Sequence, residues 1–402
     1  MSNDADDYVI RVVDSTAAID AGQWNALLAT QSDATPFMRH EYLAALEASG
    51  SAVAATGWHP QFVLLEKVHR LVGACALYLK NHSHGEYVFD WSWANAYAQH
   101  GLPYYPKAVI AVPFTPVPGS RLLARSSADR AQVAAGLVQW CKSRQLSSLH
   151  VLFTSPQDQE ACVQAGMMLR HTVQFHWNNS APGYGDFEAF LGSLAQDKRK
   201  KIRQERRKVA EAGVSFRWAQ GTDISAADWE FFYRCYERTY LEHGNAPYLN
   251  RQFFSAMATT MPDNWLLFIA ERNGQPIATS LIAINPIGTR ARAEFHPQSP
   301  GAVAYGRYWG ALERVDCLHF EACYYQPLQW CIEHGYQRFE GCAQGEHKLA
   351  RALLPVMATS AHWLAHPAFA DAVEKFLSRE GDGVSDYLDE LRQRSPMRKT
   401  DS

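Results

Sequence analysis

The sequence has no apolar run that approaches the ~20 residues a membrane-spanning helix requires. Its first residues, Met1 to Asp7, are acidic and lack the basic and apolar regions of a secretory signal. These two absences argue against a membrane anchor and against export. We therefore expect a protein without a membrane span that acts in the cytoplasm.

Cysteine is present but shows no metal-binding pattern. None of the eight cysteines forms a C-x-x-C pair or has another metal-ligand spacing. Several lie in apolar helical or strand patterns, so we expect reduced, buried side chains and no bound metal. The G-x-S-x-G, P-loop and H-E-x-x-H motifs are also missing, which argues against hydrolase, NTPase and metalloprotease functions.

No charge of one sign dominates the chain. The 38 Lys and Arg residues nearly balance the 41 Asp and Glu residues, and the formal net charge is −3. This balance argues against nonspecific nucleic-acid binding over the whole surface, although it allows a local basic patch. The 402 residues are 47% apolar and 12% aromatic, a composition typical of a folded globular protein.

The sequence repeats itself. Four short segments recur in the same order, with offsets that fall from 211 through 205 and 190 to 186 residues: 36–46 and 247–257, 62–66 and 267–271, 139–141 and 329–331, and 176–177 and 362–363. Four collinear matches indicate two copies of one domain, since a single short match would be chance. Each copy is long enough to have its own hydrophobic core.

Each copy has the same coarse order of elements. A helix is followed by a strand hairpin, a further strand, a helix, a strand and a terminal helix-and-strand unit. In the second copy, Asn273-Gly274 lies between two apolar runs, which is a hairpin signal. The pattern predicts an α/β fold of the α+β type, with a mixed central sheet flanked by helices in each copy.

We place the domain boundary after residue 188. The repeat restarts after His176-Trp177, and the intervening 182–185 is rich in proline and glycine, as linkers are. The sequence therefore predicts an N-terminal domain at 1–188 and a C-terminal domain at 189–402 that begins with a basic linker helix.

Several motifs resemble a known family. Five segments are similar to those of the bacterial FemAB-like predicted N-acyltransferases, and the last is the most specific: 87–94, 114–117, 305–310, 319–325 and 340–351. The resemblance implies two tandem GNAT-like domains, as in the Fem peptidyltransferases. It also implies an N-acyltransferase that moves an acyl or aminoacyl group from a thioester or ester donor to an amine acceptor.

The donor stays open at this point. GNAT enzymes that use coenzyme A usually carry a Gln/Arg-x-x-Gly-x-Gly/Ala loop, whose backbone N–H groups bind the pyrophosphate. Neither 124–129 nor 315–320 has this loop. The donor is therefore an acyl-CoA bound in another way, an aminoacyl-tRNA or an acyl carrier protein, and the acceptor is a small-molecule or peptide amine.

The strongest charge run lies between the copies. Eight of the eleven residues 198–208 are basic, and an approximate apolar stripe predicts one linker helix that ends near Gly213. One interpretation is a solvated helix. The other is an anion platform for transfer RNA, coenzyme A phosphates or an acidic carrier protein, with Lys200, Lys201, Arg206 and Arg207 as its anion-binding residues.

Acyl transfer to an amine requires a group that accepts the amine proton and donors for the developing oxyanion. Glu340, at the end of the strand that corresponds to the splayed GNAT strand, is one candidate base. Glu346 and His347 just after it are the others, and Lys348 is a candidate for holding a carboxylate or phosphate. The alternative is a helix N-terminal turn in which Glu346 favours the helix dipole and Lys348 is solvated.

Further substrate-binding candidates come from the aromatic-rich motifs, although such aromatics more often serve packing. Asp90 stands out because a carboxylate among aromatic residues must be hydrogen-bonded or functional. The full set of substrate-binding candidates is Asp90, Trp91, Trp93, Arg307, Trp309, Tyr324, Tyr325, Gln344 and Lys348. His176 and His362 match each other in the repeat, which favours a structural role for both.

A second function class competes with the enzyme. A catalytically silent tandem module would bind a peptide, glycan or RNA through the basic helix and aromatic surfaces. The two hypotheses differ in whether Glu340, Glu346 and His347 converge on one deep pocket.

Overall fold

The computed structural model of the protein describes residues 8–179, 183–285, 301–343 and 345–398. The chain forms two compact units, and each of them is discontinuous in sequence. The first unit comprises Met1–Thr172 and Met357–Asp386, and the second comprises Val173–Val356 and Tyr387–Ser402.

The described residues contain thirteen strands. In chain order they are β1 Tyr8–Val13, β2 Trp58–Lys67, β3 Arg70–Lys80, β4 Lys107–Ile110, β5 Leu123–Ala124, β6 Ser148–Val151, β7 Met168–Asn178, β8 Val214–Gln220, β9 Trp265–Arg272, β10 Gln275–Ile284, β11 Val303–Ala311, β12 Arg338–Ala343 and β13 Leu354–Leu364.

Helices alternate with these strands. They are α1 Ala21–Leu28, α2 His40–Ala48, α3 Trp91–Gln99, α4 Ser127–Ser143, α5 Pro156–Gln164, α6 Phe187–Gly192, α7 Gln196–Glu211, α8 Ala226–Glu242, α9 Arg251–Thr260, α10 Leu318–Phe320, α11 Gln326–Glu333 and α12 Pro367–Gln393. A π-helical turn, Glu321–Tyr325, connects α10 to α11, and a 3-10 helix, Glu346–Arg351, follows β12.

The strand order is the same in both units. In the first unit it is β1-β2-β3-β4-β6-β13, and in the second it is β8-β9-β10-β11-β12-β7. Among the recorded pairs within each order, β4–β6 and β11–β12 are parallel and the others are antiparallel. The duplication expected from the repeated segments therefore agrees with the topology, which is a mixed sheet flanked by helices in each copy.

The copies exchange their last strands. β7 ends the first copy in sequence, yet most of it belongs to the second unit, whereas most of β13 belongs to the first. This exchange is why the compact units are discontinuous, and neither of their limits falls at 188/189. The boundary predicted there lies in the segment that joins β7 to β8, between the two copies in sequence.

Each core forms between the sheet and an amphipathic helix. In α4, Val133, Leu137 and Cys141 are buried at helical spacing, and the Ser126 side chain caps the helix start by accepting from the Asp129 N–H at 3.1 Å. The corresponding helix of the second unit, α11, buries the predicted Trp330-Cys331 segment. Five described cysteines are buried and two are half-buried, and none of these seven forms a disulfide.

The basic segment forms α7. The prediction of one helix from the apolar stripe Phe190, Leu194, Ile202 and Val209 is wrong, because this stripe crosses the break between α6 and α7. The chain breaks between α6 and α7, because the Ala195 N–H donates to the Pro396 carbonyl at 2.9 Å and Leu194 bridges to Met397. These contacts with the chain terminus hold 193–195 out of the helix. The predicted stop is present, since Gly213 follows α7 with a φ of +74°.

Candidate active site

The site begins where two parallel strands separate. β11 and β12 pair over only three residues each, 303–305 with 338–340. Beyond that point β11 continues along β10 to residue 311, while β12 continues along β7, where Ala343 pairs with Gln174. The divergence of the two strands leaves a wedge in the sheet of the second unit.

A cavity of about 250 Å³ occupies this wedge. It is lined by residues of β10, β11 and β12, of the α10 and π-helical segment, and of the 3-10 helix. These residues are Ser280, Gly306, Arg307, Tyr308, Trp309, His319, Cys323, Tyr324, Phe339, Gly341, His347 and Lys348.

His347 is held over a glycine at the start of the 3-10 helix. Gly345 has a φ of +123°, which L side chains rarely adopt. A Cβ atom on Gly345 would lie 2.6 Å from His347 Cε1 and 2.9 Å from its Nδ1. The imidazole therefore occupies the space that any other residue at 345 would fill.

The His347 ring is also bonded to a tyrosine. His347 Nε2 lies 3.0 Å from the Tyr324 hydroxyl, and the direction of this hydrogen bond depends on the tautomer. Tyr324 belongs to the π-helical turn, a local geometry that is frequent at functional sites. His319 lies next to the pair, with its ring centroid 5.7 Å from that of Tyr324 and 6.3 Å from that of His347.

Both cavity histidines have a lowered pKa, which favours the neutral imidazole. Burial lowers the pKa of His347, and the charges of Lys348 and Arg351 lower it further. For His319, burial and then the neighbouring His347 and Arg351 lower the pKa to about 4. A neutral imidazole has a free lone pair, so either ring can accept a proton from a bound amine.

The structure does not bring the three predicted catalytic residues together. Glu340 is buried with 3% of its surface exposed, and its carboxylate lies 3.0 Å from Arg338 Nε and 3.9 Å from His176 Nε2. Phe339 and Gly341 line the cavity, and alternation along a strand turns the residue between them to the other face of the sheet.

Glu346 is exposed and also lies outside the cavity lining. Its carboxylate accepts a hydrogen bond from the Tyr387 hydroxyl at 2.7 Å and lies 3.6 Å from Arg394. Successive residues of a 3-10 helix point about 120° apart, so Glu346 and His347 face different directions. Of the three, His347 alone lines the cavity.

The other predicted binding residues of the second unit divide in the same way. Arg307, Trp309, Tyr324 and Lys348 line the cavity. Tyr325 is fully buried and instead donates a hydrogen bond to Glu205 of α7. Gln344 lies outside the described residues.

Sequence reasoning missed several cavity residues. His319, Tyr308, Cys323 and Ser280 were not among the candidates, although they line the wedge. His319 and Cys323 lie in the 319–325 motif and Tyr308 in the 305–310 motif, so the motifs marked the right segments. A titratable residue type within an aromatic-rich motif was the available signal for His319.

In the first unit, Asp90 belongs to a buried ion cluster. Lys107 Nζ binds Asp90, lies 2.8 Å from a Glu86 carboxylate oxygen and donates to Ser83 Oγ at 2.8 Å. The Tyr104 hydroxyl donates to Asp90 at 2.6 Å. Burial alone would raise the pKa of Asp90, but Lys107, His150 and Ser83 together lower it. Burial raises the pKa of Glu86 to about 7.

The two tryptophans beside Asp90 have different surroundings. Trp91 is exposed, and its ring lies 5.0 Å from that of His84. Trp93 is buried and packs on His362 at 5.1 Å between ring centroids. These contacts give Asp90 and Trp93 a structural role. Substrate binding by Asp90, Trp91 and Trp93 stays a prediction.

In the first unit, hydrogen bonds close the end of the parallel pair β4–β6. The Leu152 N–H donates to the Ile110 carbonyl at 2.9 Å just beyond the β4–β6 ladder. Arg121, which is 1% exposed, donates through Nε to the Leu152 carbonyl at 2.9 Å. The backbone at the end of this parallel pair is thus satisfied internally, whereas the corresponding place in the second unit contains the cavity.

The outer face of α7 carries a basic stripe, which we define as Arg199, Lys200, Arg203 and Arg207. With Gln196 and Gln204 these residues line an open groove of about 700 Å³ at helical spacing. Lys201 is exposed but does not line this groove. Arg206 points inward, where it donates to Glu321 at 3.1 Å and to Gln329 at 3.0 Å. Its predicted anion-binding role is therefore at odds with these contacts.

With this geometry in hand, the chain can be compared with known proteins. Residues 15–399 match the family model of the FemAB-like proteins, whose description is peptidoglycan biosynthesis/recognition. The chain belongs to the FemAB-like family. The resemblance drawn from the motifs is thereby confirmed. No curated protein matches this FemAB-like chain significantly.

Solved structures share the fold of this FemAB-like protein. FemX is 8% identical, with a TM-score of 0.54 over 90% of this chain and 100% of that one. The C-terminal domain of a putative lysylphosphatidylglycerol synthetase from Agrobacterium fabrum is 10% identical, with a TM-score of 0.54 over 90% and 97% of the two chains. L-PGS from Bacillus licheniformis is 9% identical, with a TM-score of 0.50 over 89% and 97%. At these identities the likeness shows the fold alone.

The ranges 8–179, 183–285, 301–343 and 345–398 lack two further features. No helix there has the length and apolar character needed to cross a membrane. No group of three or more His, Cys, Asp or Glu side chains in the same ranges is arranged to hold a metal ion.

Proposed function

We propose that the protein is an N-acyltransferase that moves an acyl or aminoacyl group from a thioester or ester donor to an amine acceptor in the wedge between β11 and β12. The observation that carries the proposal is the hydrogen-bonded pair of His347 and Tyr324 in the wall of that cavity. The hydrogen bonds that close the corresponding end of β4–β6 favour the second unit as the place of the reaction.

The proposed reaction needs a neutral amine. A lysine-like amine has a pKa of about 10.4, so at neutral pH it is mostly an ammonium, which must first lose one proton to solvent. The neutral amine then loses a second proton as its nitrogen attacks the acyl carbon. The N–C bond forms, the C–S or C–O bond of the donor breaks, and the proton passes to the His347–Tyr324 pair. The imidazolium then returns this proton to the departing thiolate or alkoxide, which leaves the enzyme unchanged.

The developing oxyanion needs positive partners. Lys348 is almost fully buried in the cavity wall, and Arg307 also lines the wall. Cations held in a site that excludes water stabilise a developing negative charge far more than they do in water. We assign oxyanion stabilisation to Lys348 and substrate orientation to Arg307.

The acceptor and the donor are proposed from different observations. The family description, peptidoglycan biosynthesis/recognition, favours an amine of a cell-wall peptide as the acceptor. The basic stripe supports a donor whose carrier bears phosphates, as an aminoacyl-tRNA or an acyl-CoA does. An acyl carrier protein with an acidic surface is the third donor class that we retain.

The test is a transfer assay with radiolabelled acyl-CoAs and aminoacyl-tRNAs against peptide amines and free amino acids. We expect one pair to support transfer that falls by roughly a hundredfold or more in His347→Gln and Tyr324→Phe. His243→Gln is the control, because its exposed ring bonds only the Thr239 carbonyl of its own helix, at 2.7 Å. Binding of these ligands without transfer by any pair would favour the silent binding module.

A further inference from the structure

We infer that Glu205 is a positioning residue for His347 and acts on it through Arg351. The inference rests on the proposed function, in which His347 accepts the amine proton. Glu205 belongs to α7, a helix for which the sequence suggested either a solvated face or an anion platform, and no motif marks it.

Glu205 is the one acid in the basic run 198–208, and it faces inward. It shares the buried face of α7 with Ile202 and Val209, at spacings of three and four residues, and 8% of its surface is exposed. An isolated carboxylate at this depth would be costly, so it requires a charged or hydrogen-bonding partner.

Arg351 supplies that partner and connects it to the site. Its Nη2 donates to both carboxylate oxygens of Glu205, at 2.9 and 3.0 Å. Its Nη1 donates to the backbone carbonyl of His347 at 2.7 Å. The guanidinium is 2% exposed and lies 3.4 Å from the centre of the Phe320 ring, so its planar fork has little room to turn.

Two successive tyrosines complete the network. Tyr324 touches the His347 imidazole, and Tyr325 donates its hydroxyl to Glu205. Both side chains come from the π-helical turn, so one segment contacts the His347 imidazole and the Glu205 carboxylate that holds Arg351. His347 is thus held at the ring by Tyr324 and at the carbonyl by Arg351.

This external hold matters because the local chain is weakly restrained. Gly345 precedes the 3-10 helix and, lacking a Cβ, has more backbone freedom than any other residue. A buried ion pair is also weak evidence for stability, since desolvation offsets much of its attraction. The geometry therefore points to orientation of His347 as the purpose of the Glu205–Arg351 pair.

The test compares two isosteric variants, one on α7 and one on the π-helical turn. Glu205→Gln removes the charge that holds Arg351. Glu321→Gln is the matched control, because buried Glu321 pairs with Arg206 of α7 but does not reach His347. Each protein is assayed for kcat and KM, and the His347 Cε1 signal is followed by NMR titration of histidine-labelled protein, assigned by its loss in His347→Gln.

We expect Glu205→Gln to lower kcat by roughly tenfold to a hundredfold with KM little changed, the effect of misplacing a reacting group. Its His347 signal should titrate at lower pH than the parent's, because the uncompensated Arg351 charge disfavours the imidazolium. Parent-like kcat and titration in Glu205→Gln, or equal changes in Glu321→Gln, would overturn the inference.

Two further outcomes keep the inference separate from the proposed function. If Glu205→Gln does not fold, Glu205→Asp is used instead, because it keeps the charge on a shorter side chain. For Glu205→Asp we expect a loss of kcat below the roughly tenfold to hundredfold range and a His347 titration near the parent's. If His347→Gln keeps full activity, the base assignment fails. The NMR titration still decides whether Glu205 controls the environment of His347.

Discussion

Replacing Gly345 with alanine should disable the site in a protein that still folds. The new Cβ would lie 2.6 Å from His347 Cε1, a separation that real Cβ atoms essentially never show. The imidazole would have to turn away, which breaks its 3.0 Å bond to Tyr324. A φ of +123° adds backbone strain of about 1–3 kcal/mol for a residue other than glycine.

The two costs can be separated with a second glycine. Gly335 also has a positive φ, +73°, but a Cβ there would meet no atom within 4 Å. Gly335→Ala therefore carries backbone strain without a displaced histidine. We expect both variants to be destabilised by about 1–3 kcal/mol in urea unfolding. Only Gly345→Ala should lose transfer activity, by about a hundredfold.

The assay pairs the transfer rate with the NMR signal of His347. Gly345→Ala should shift that signal, and Gly335→Ala should leave it unchanged. Parent-like activity and an unshifted His347 signal in Gly345→Ala would refute the reasoning, because the ring would then have room that the structure does not give it.

Three further predictions concern pH, stability and charge. Transfer rates should fall in acid with a midpoint below the usual histidine pKa, because the lowered pKa of His347 keeps its imidazole neutral until then, and rate-against-pH profiles check this. Lys107→Met should destabilise the protein by about 3–5 kcal/mol in urea unfolding by leaving buried carboxylates unpaired, whereas exposed Lys142→Met should not. Replacing the basic stripe with glutamine should weaken polyanion binding in a salt-dependent way at unchanged Tm, whereas Arg206→Gln should lower Tm, as filter binding and calorimetry can show.

The repeat could be read from the sequence with useful precision. The offset of 190 residues pairs His150 with Glu340, and the offset of 186 pairs His176 with His362. In the structure His150 lies opposite His362, and Glu340 lies opposite His176, each across an antiparallel pair with the exchanged strand. Such registers follow from chain duplication, which leaves a direct trace in the sequence.

The site itself was only partly predictable. The motif 340–351 marked the correct segment, but the face that Glu340 takes depends on where the β11–β12 ladder ends, and no local pattern reveals this. The break before α7 depends on the terminal segment near Pro396, a partner about 200 residues away in sequence. His319 lies in α10 and lines the cavity. Its position in the sequence would fit a packing residue of the core equally well.

The most direct test of the account is the single-turnover rate of acyl transfer in His347→Gln. It is measured with enzyme and acceptor in excess over the donor, at enzyme concentrations that bind all of the donor. If His347 accepts the amine proton, we predict that the chemical step slows by roughly a hundredfold or more while the donor binds as tightly as it does to the parent. A single-turnover rate equal to the parent's would contradict the central claim.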